Sequence, residues 1–219
     1  MAAALICVLL FQLWILACLL WWRDAPPEST RFMDIRLTEL QQAHPDAQLR
    51  HTWVPYDQIS VHLKRAVVAA EDDRFIEHDG FDWDGIQHAL EKNQKKGKPV
   101  AGGSTISQQL AKNLFLTPSR SYLRKAQEAI ITLMIEALWS KRRILEVYLN
   151  VVEWGDGVFG AEAAAQHYYG IDASRLGPAE ASRLAVMLPN PRKYEKQYGA
   201  RLAAHAERIR NRMHYSQIP

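Results

Sequence analysis

Cysteine is almost missing from this chain. The only two, Cys7 and Cys18, both fall within the N-terminal run "AAALICVLLFQLWILACLLWW", so residues 23–219 hold no thiol and can form no disulfide. That excludes a thiol-dependent enzyme and a cysteine zinc site, and it suits an exported domain that folds without oxidation. The same run, residues 2–22, has no charge, and Gln12 is its one polar side chain. A helix needs about 20 such residues to cross a bilayer. No basic segment precedes the run and it ends on Trp21 and Trp22 rather than on small residues, which favours a transmembrane anchor over a cleaved signal peptide. Orienting charge is scarce as well: Arg23 is the only close basic residue and Asp24 follows it, so the flanks do not orient the anchor.

Repeats, low-complexity tracts and alternating β-branched runs are lacking too. The net charge is only +3, all of it outside the anchor. That suits an anionic membrane surface or an anionic substrate and is too weak to argue for nucleic acid. With 219 residues the chain has room for an anchor and one domain with a proper core, and hardly for a second enzyme domain. The division read from the sequence is an anchor over 2–22, a Pro-bearing tether and domain entry over 23–45, and one domain over 46–219. What remains is helical in period, so the class is mainly α. "SVHLKRAVVAAED" spaces Val61, Leu63, Ala66, Val67 and Ala70 by threes and fours, and "WDGIQHALEKNQKKG" begins acidic and ends basic, as the helix dipole favours. The middle of "SYLRKAQEAIITLMIEALWS" is apolar on nearly every face and is expected to be buried.

Three stretches carry chemistry. In "GGSTISQQLAKN" two glycines let the backbone approach a ligand, Thr105 and Gln108 fit a capping box, and the free amides of a helix start attract anions. Lys112 lies two turns beyond Thr105, on the same face as Gln108. The pattern equally fits an ordinary capped helix with a surface lysine, and it lacks the spacing of a nucleotide P-loop. In "TPSRSYLRKAQEA", Arg124 and Glu128 form an i,i+4 pair, while Lys112, Arg120 and Lys125 together can clamp a pyrophosphate. An anionic ligand beside a membrane anchor points to a lipid-linked one. The acidic stretch "AAEDDRFIEHDGFDWDG" fails as a calcium loop and as a zinc site on spacing. Its second half reads as a turn. Glu71 and Asp72, however, sit next to the apolar face of Val67 and Ala70, where partial burial would raise a carboxylate's pKa and make it a usable proton acceptor.

Taken in order, these stretches resemble the motifs of the peptidoglycan glycosyltransferases, glycosyltransferase family 51, in their single-domain form. "EDDRFIEHDG" is similar to the first motif, "GGSTISQQLAKN" to the second, "RKAQE" to the third and "KRRILEVYLNVVEWG" to the fourth. "GAEAAAQHYYG" and "LAVMLPNPRKY" are similar to the segments that close the domain. Departures, such as Ser107 where threonine is frequent and Tyr169 where phenylalanine is frequent, touch no catalytic position. The resemblance implies a lysozyme-like α fold of head and membrane-facing jaw behind one transmembrane helix, the jaw including part of residues 80–123, with "NLFLTP" offered to lipid.

It also implies an activity: polymerisation of lipid II into glycan strands with inversion at C1 and release of undecaprenyl pyrophosphate. By motif match Glu71 would be the general base and Glu128 the second acid, near the donor pyrophosphate or its sugar. Lys112 and Arg120 would hold donor phosphates, Ser104, Gln108 and Gln109 would line the cleft, and Arg124 and Lys125 would assist electrostatically or hold the structure. Glu146, flanked by apolar residues, is expected to be a hydrogen-bond partner of Asn150, and His78 a packing and hydrogen-bonding residue rather than an acid–base catalyst. No obligatory cofactor or metal is expected, a divalent cation at the pyrophosphate being at most stimulatory. The implied partners are lipid II, the nascent lipid-linked glycan, the bilayer and other cell-wall synthesis proteins, at the inner membrane with the domain on the periplasmic side. Two rivals stay open: a lytic muramidase of similar fold and an inactive scaffold for wall synthesis.

Overall fold

The computed structural model describes residues 2–97, 103–119 and 121–219. Its helices are α1 Ala2–Trp22, α2 Arg31–Ala43, α3 Val61–Glu71, α4 Trp83–Lys96, α5 Ile106–Phe115, α6 Tyr122–Leu138, α7 Lys141–Val151, α8 Ala161–Tyr169, α9 Pro178–Ala185, α10 Pro191–Lys196 and α11 Ala200–Arg212. Short polar residues set where many of them begin. Thr30, Ser60, Asp82, Thr105, Ser121 and Ser140 each accept a hydrogen bond from a first-turn amide that has no partner inside the helix. Pro178 and Pro191 open α9 and α10, where the missing N–H costs nothing. The strands β1 Arg50–His51, β2 Glu153–Gly155 and β3 Val158–Phe159 make one small sheet in the order β1-β3-β2. β1 runs parallel to β3, and β2 runs antiparallel to it through a turn at Gly157, whose φ of +73° favours glycine.

Two lobes follow from what each helix can bury. α5 is wedged between α6 and α7 and α3 packs on α9, so Leu63, Ala66, Val67, Ile106, Leu110, Ile144 and Leu149 close one continuous core with the sheet and α8. This is the head. α4 stands outside it: Ala89 is the one buried residue among its described side chains, and its start carries the exposed Trp83, stacked on Phe81. α4 and the outer face of α6 form the thinner jaw.

α2, in the segment read as tether and domain entry, is built into the head by a buried arginine. Arg36 donates to Glu153 at 3.0 Å and to Asp156 at 2.6 Å, and also pairs with Glu39. α1 lies along α6, with Ile15 and Leu19 buried and most other side chains exposed and apolar. Polar contacts set the register of the two helices. The Trp139 indole N–H donates to the Leu19 carbonyl at 2.8 Å, and the Gln12 and Gln127 amides donate to each other at 2.8 and 3.1 Å. Arg143 at the start of α7 donates to the carbonyls of Trp22 and Ala25, which closes the end of α1.

Two sequence expectations change here. The middle of α6 is not buried all round. Ile131, Thr132 and Ile135 are buried, but Ile130 and Leu133 are 43% and 55% exposed, because α1 and α5 leave one face of α6 uncovered. In "NLFLTP" the apolar side chains do not face outward. Leu114, Phe115 and Leu116 are buried, and the Phe115 ring sits 5.7 Å from Trp14 and 5.4 Å from Trp22, so α1 takes the place expected for lipid.

Candidate active site

Glu71 is the last residue of α3. Asp72 ends the helix, with backbone angles of −163° and 72°, so the chain turns away just as the Glu71 side chain reaches the cleft between the lobes. Asp72 itself is buried and fully used. Its Oδ2 accepts from the Ile106 N–H at 2.9 Å, and its Oδ1 lies 2.8 Å from His78 Nε2. Because His78 Nδ1 accepts from the Gly80 N–H at 3.1 Å, the proton on His78 sits on Nε2 and points at Asp72. His78 is thus a hydrogen-bonding residue, as the sequence suggested.

The start of α5 is a capping box as expected. Thr105 Oγ1 accepts from the Gln108 N–H at 3.2 Å, and Gln108 Oε1 accepts from the Thr105 N–H at 3.0 Å. Two of the amides expected to attract an anion are already used, since Thr105 and Asp72 take the Gln108 and Ile106 N–H groups. Gly103 lines the cleft but also lies against α4. A Cβ there would come within 3.2 Å of the Ile86 Cα, so the close approach that requires glycine is to the jaw. Gly102 lies outside the described residues, as does Arg120, one of the two residues expected to hold phosphate.

Two connected cavities meet at Glu71 and Ser104. The larger, about 360 Å³, is lined by Gln108, Gln109, Lys112, Arg124, Lys125, Glu128, Leu188 and Pro189 as well. The smaller, about 160 Å³, is lined by Asp72, Asp73, Asp82, Gly103, Thr105 and Arg212. Of the expected site residues, Glu71, Ser104, Gln108, Gln109, Lys112, Arg124, Lys125 and Glu128 are therefore brought to one cleft.

The carboxylates have different surroundings. Glu71 has a neutral partner: the Gln109 amide donates to its Oε2 at 2.8 Å. Burial pushes its pKa above the ordinary carboxylate range, the Gln109 hydrogen bond and the charge of Lys112 pull it back in part, and Asp72 adds to the rise. Glu128 is 3% exposed and has two cations: Arg124 donates to its Oε2 at 2.5 Å and Lys125 binds its Oε1. The buried Nε of Arg124 has no partner among the described residues. Lys112 projects between the two acids. Burial lowers its pKa, Arg124 and Lys125 lower it further, and Glu128 and Glu71 oppose the fall.

Glu146 is structural, though not in the way expected. Its carboxylate accepts from the Tyr56 N–H at 2.9 Å and from Arg143 at 2.6 Å. Asn150 reaches only the Glu146 backbone carbonyl, because its side chain is used to bridge both backbone groups of Val54. No cluster of three or more His, Cys, Asp or Glu side chains able to hold a metal occurs among the described residues.

Arg212, on α11, was not visible in the sequence as part of the site. It donates to the Ala69 carbonyl in the last turn of α3 and lies 3.7 Å from Asp73, itself held by the Ser216 hydroxyl at 2.8 Å. Nothing near Arg212 marks it, since its partners are more than a hundred residues away.

A family model described as Transglycosylase matches residues 37–215. Curated relatives are similar along nearly the whole chain. A protein of Azoarcus sp. (strain BH72) is 73% identical over 99% of this chain and 94% of its own length. One of Aromatoleum aromaticum is 73% identical over 96% of this chain and 91% of its own length, and one of Dechloromonas aromatica 66% identical over 88% and 83%. Each is named biosynthetic peptidoglycan transglycosylase. The mainly helical, lysozyme-like fold implied by the motifs agrees with this match and with the two lobes and cleft described above.

Proposed function

The chain belongs to the Transglycosylase family, and from that premise we propose that it is a membrane-anchored, inverting peptidoglycan glycosyltransferase. Its substrates are lipid II and a growing lipid-linked glycan, and its leaving group is undecaprenyl pyrophosphate. The single observation that carries this reading is the division of the cleft: one carboxylate without an ion-pair partner among the described residues, Glu71, faces a cationic end built from Lys112, Arg124 and Lys125.

The chemistry follows from that division. A glycosidase needs one acid to protonate a poor leaving group and a second carboxylate as base or nucleophile. Pyrophosphate leaves well without a proton, so cations replace the acid and one base suffices. Glu71, with its pKa raised by burial, takes the proton from the 4-hydroxyl of the acceptor sugar as that oxygen attacks C1 of the donor. Lys112 and Arg124, with Arg120 added from the motif match, stabilise the charge that develops on the departing phosphate. Glu128 holds Arg124 and Lys125 in place before substrate arrives. Ser104 and Gln108 line the path between the two ends. No bound metal or cofactor has a step in this scheme.

α1 is long and apolar enough to cross a membrane, with mean hydropathy 2.4 over Leu5–Trp22. Tyr122, Leu123, Ile130 and Leu133 leave apolar surface exposed on α6, the helix that α1 packs against, next to the cationic end of the cleft. A lipid-linked pyrophosphate fits there with its tail in the bilayer. The proposed reaction calls for the inner membrane with the domain on the periplasmic face, where other wall-synthesis proteins would be its neighbours. The test is polymerisation of lipid II by the full chain in detergent, with muramidase digestion to identify the product. Glu71→Gln is expected to lower the rate by roughly 10²–10⁴-fold, the range for a positioned base. Full activity in that variant, or cleavage of finished glycan by the parent, would overturn the reading.

A further inference from the structure

Tyr148 stands one residue behind the proposed chemistry. It lies on α7 with no exposed surface, and its hydroxyl donates to Gln109 Oε1 at 2.9 Å. The other end of the same amide, Nε2, donates to Glu71 Oε2 at 2.8 Å. A glutamine amide has ends of opposite polarity, so whatever grips one end decides what the other presents. With Oε1 held by the hydroxyl, an N–H faces the carboxylate, an arrangement that favours the ionised form. If the amide turned over, Oε1 would face Glu71 and could be satisfied only by a protonated carboxyl, while the buried hydroxyl would lose the acceptor it has now.

We propose that Tyr148 is a positioning residue that acts through Gln109, fixing the amide so that Glu71 is held ionised and aimed into the cleft. This rests on the reading of Glu71 as the general base. Burial and the nearby Glu71 and Asp72 push the Tyr148 pKa well above its ordinary value, so the hydroxyl remains a donor throughout the working range. The other charges near Glu71 are accounted for. Lys112 on α5 favours its ionised form and Asp72 opposes it. On α6, Glu128 is paired with Arg124 and Lys125; on α11, Arg212 is held by the Ala69 carbonyl and lies near Asp73; and Asp82, at the start of α4, caps Gly85. None of these depends on the Tyr148 hydroxyl.

The experiment compares the full chain with its Tyr148→Phe variant in two readouts. One is the titration of the Glu71 carboxyl, followed by ¹³C resonances of labelled glutamate and assigned by their loss in Glu71→Gln. The other is the pH profile of lipid II polymerisation. The Phe variant is expected to raise the Glu71 midpoint by about one pH unit, the size of one lost hydrogen bond to a charged group. The acid limb of activity should move up with it, the alkaline plateau staying within a few-fold. An unmoved midpoint overturns the proposal. A midpoint that rises while the acid limb stays put supports the role of Tyr148 and removes Glu71 as the base, so the two readings fail separately. Gln109→Met cuts the same link from the other side and should raise the midpoint similarly, with no further rise in the double variant. Two shifts that add would overturn the coupling. Should the Phe variant fail to fold, the Met variant carries the test, and an unmoved midpoint there is equally fatal.

Discussion

The two ends of the cleft each hold an acid, one half-buried and one buried, and they are built on opposite terms. Glu71 has no ion-pair partner among the described residues and takes one hydrogen bond, from a neutral amide, so burial raises its pKa. Glu128 is more deeply buried than Glu71 yet bound by two cations one turn away on the same helix, so its charge is compensated where it sits. The first arrangement suits a group that must gain and lose a proton. The second suits a group that holds cations in place. Two carboxylates on different helices thus acquire different tasks from their surroundings, as in enzymes where environment alone separates acid from base.

Removing one charge at each end tests the contrast. Glu128→Gln leaves Arg124 and Lys125 without their counterion inside the cleft. Breaking a fully buried pair costs roughly 3–5 kcal/mol, and the half-exposed Lys125 reduces that, so a loss of about 2 kcal/mol is expected in denaturant titration. Activity should fall as well, because the cations lose their fixed geometry. Glu71→Gln should act on stability in the opposite direction, raising it by about 1 kcal/mol, as removal of a buried functional charge commonly does. If both variants shift stability with the same sign, the contrast between the two ends is wrong.

A pH series sharpens the Glu71 half of that comparison. In the folded chain the Glu71 pKa is raised, so between the ordinary carboxylate value and the folded value the native state binds more protons than the unfolded state. The contribution of this group to stability therefore falls as pH rises through that window, and it is fully retained below it. Subtracting the unfolding free energy of Glu71→Gln from that of the parent at each pH should show a difference that declines on going from mildly acid to neutral solution. A flat difference would mean that burial does not perturb Glu71.

How much of this was readable in advance depended on distance along the chain. The capping box joins Thr105 to Gln108 within one turn, so the local sequence announced it. The helices of the head were legible from period and caps, and the cleft residues from motifs that keep their order. The strands are two or three residues long, too short for alternation to register. Contacts between distant segments left no local trace. Asp72 takes the Ile106 amide that looked free for an anion, Tyr148 grips Gln109 from a different helix, and Arg212 reaches α3 from near the C-terminus. The exposed face of α6 was misread for the same reason: an apolar run does not say which of its sides a partner will cover.

The smallest expected effect concerns what braces each end. α3, which carries Glu71, is packed on α9 and touched by α11, all within the head. α6, which carries Glu128, is braced on one side by α1, and Gln127, one residue before Glu128, exchanges hydrogen bonds with Gln12. A neutral side-chain hydrogen-bonded pair at a part-exposed helix contact contributes only about 0.5 kcal/mol net, because each amide finds other partners when the pair is broken. Gln12→Leu makes the anchor more apolar and removes the pair, so membrane insertion should be unaffected. The expected result is a rise of about two- to threefold in KM for lipid II, the kinetic equivalent of that energy, with the acid limb of the pH profile unmoved. Gln127→Leu should match it, and the double variant should add nothing. A change in the acid limb would mean that the anchor bears on Glu71 too, and the two ends of the cleft would no longer be independently supported.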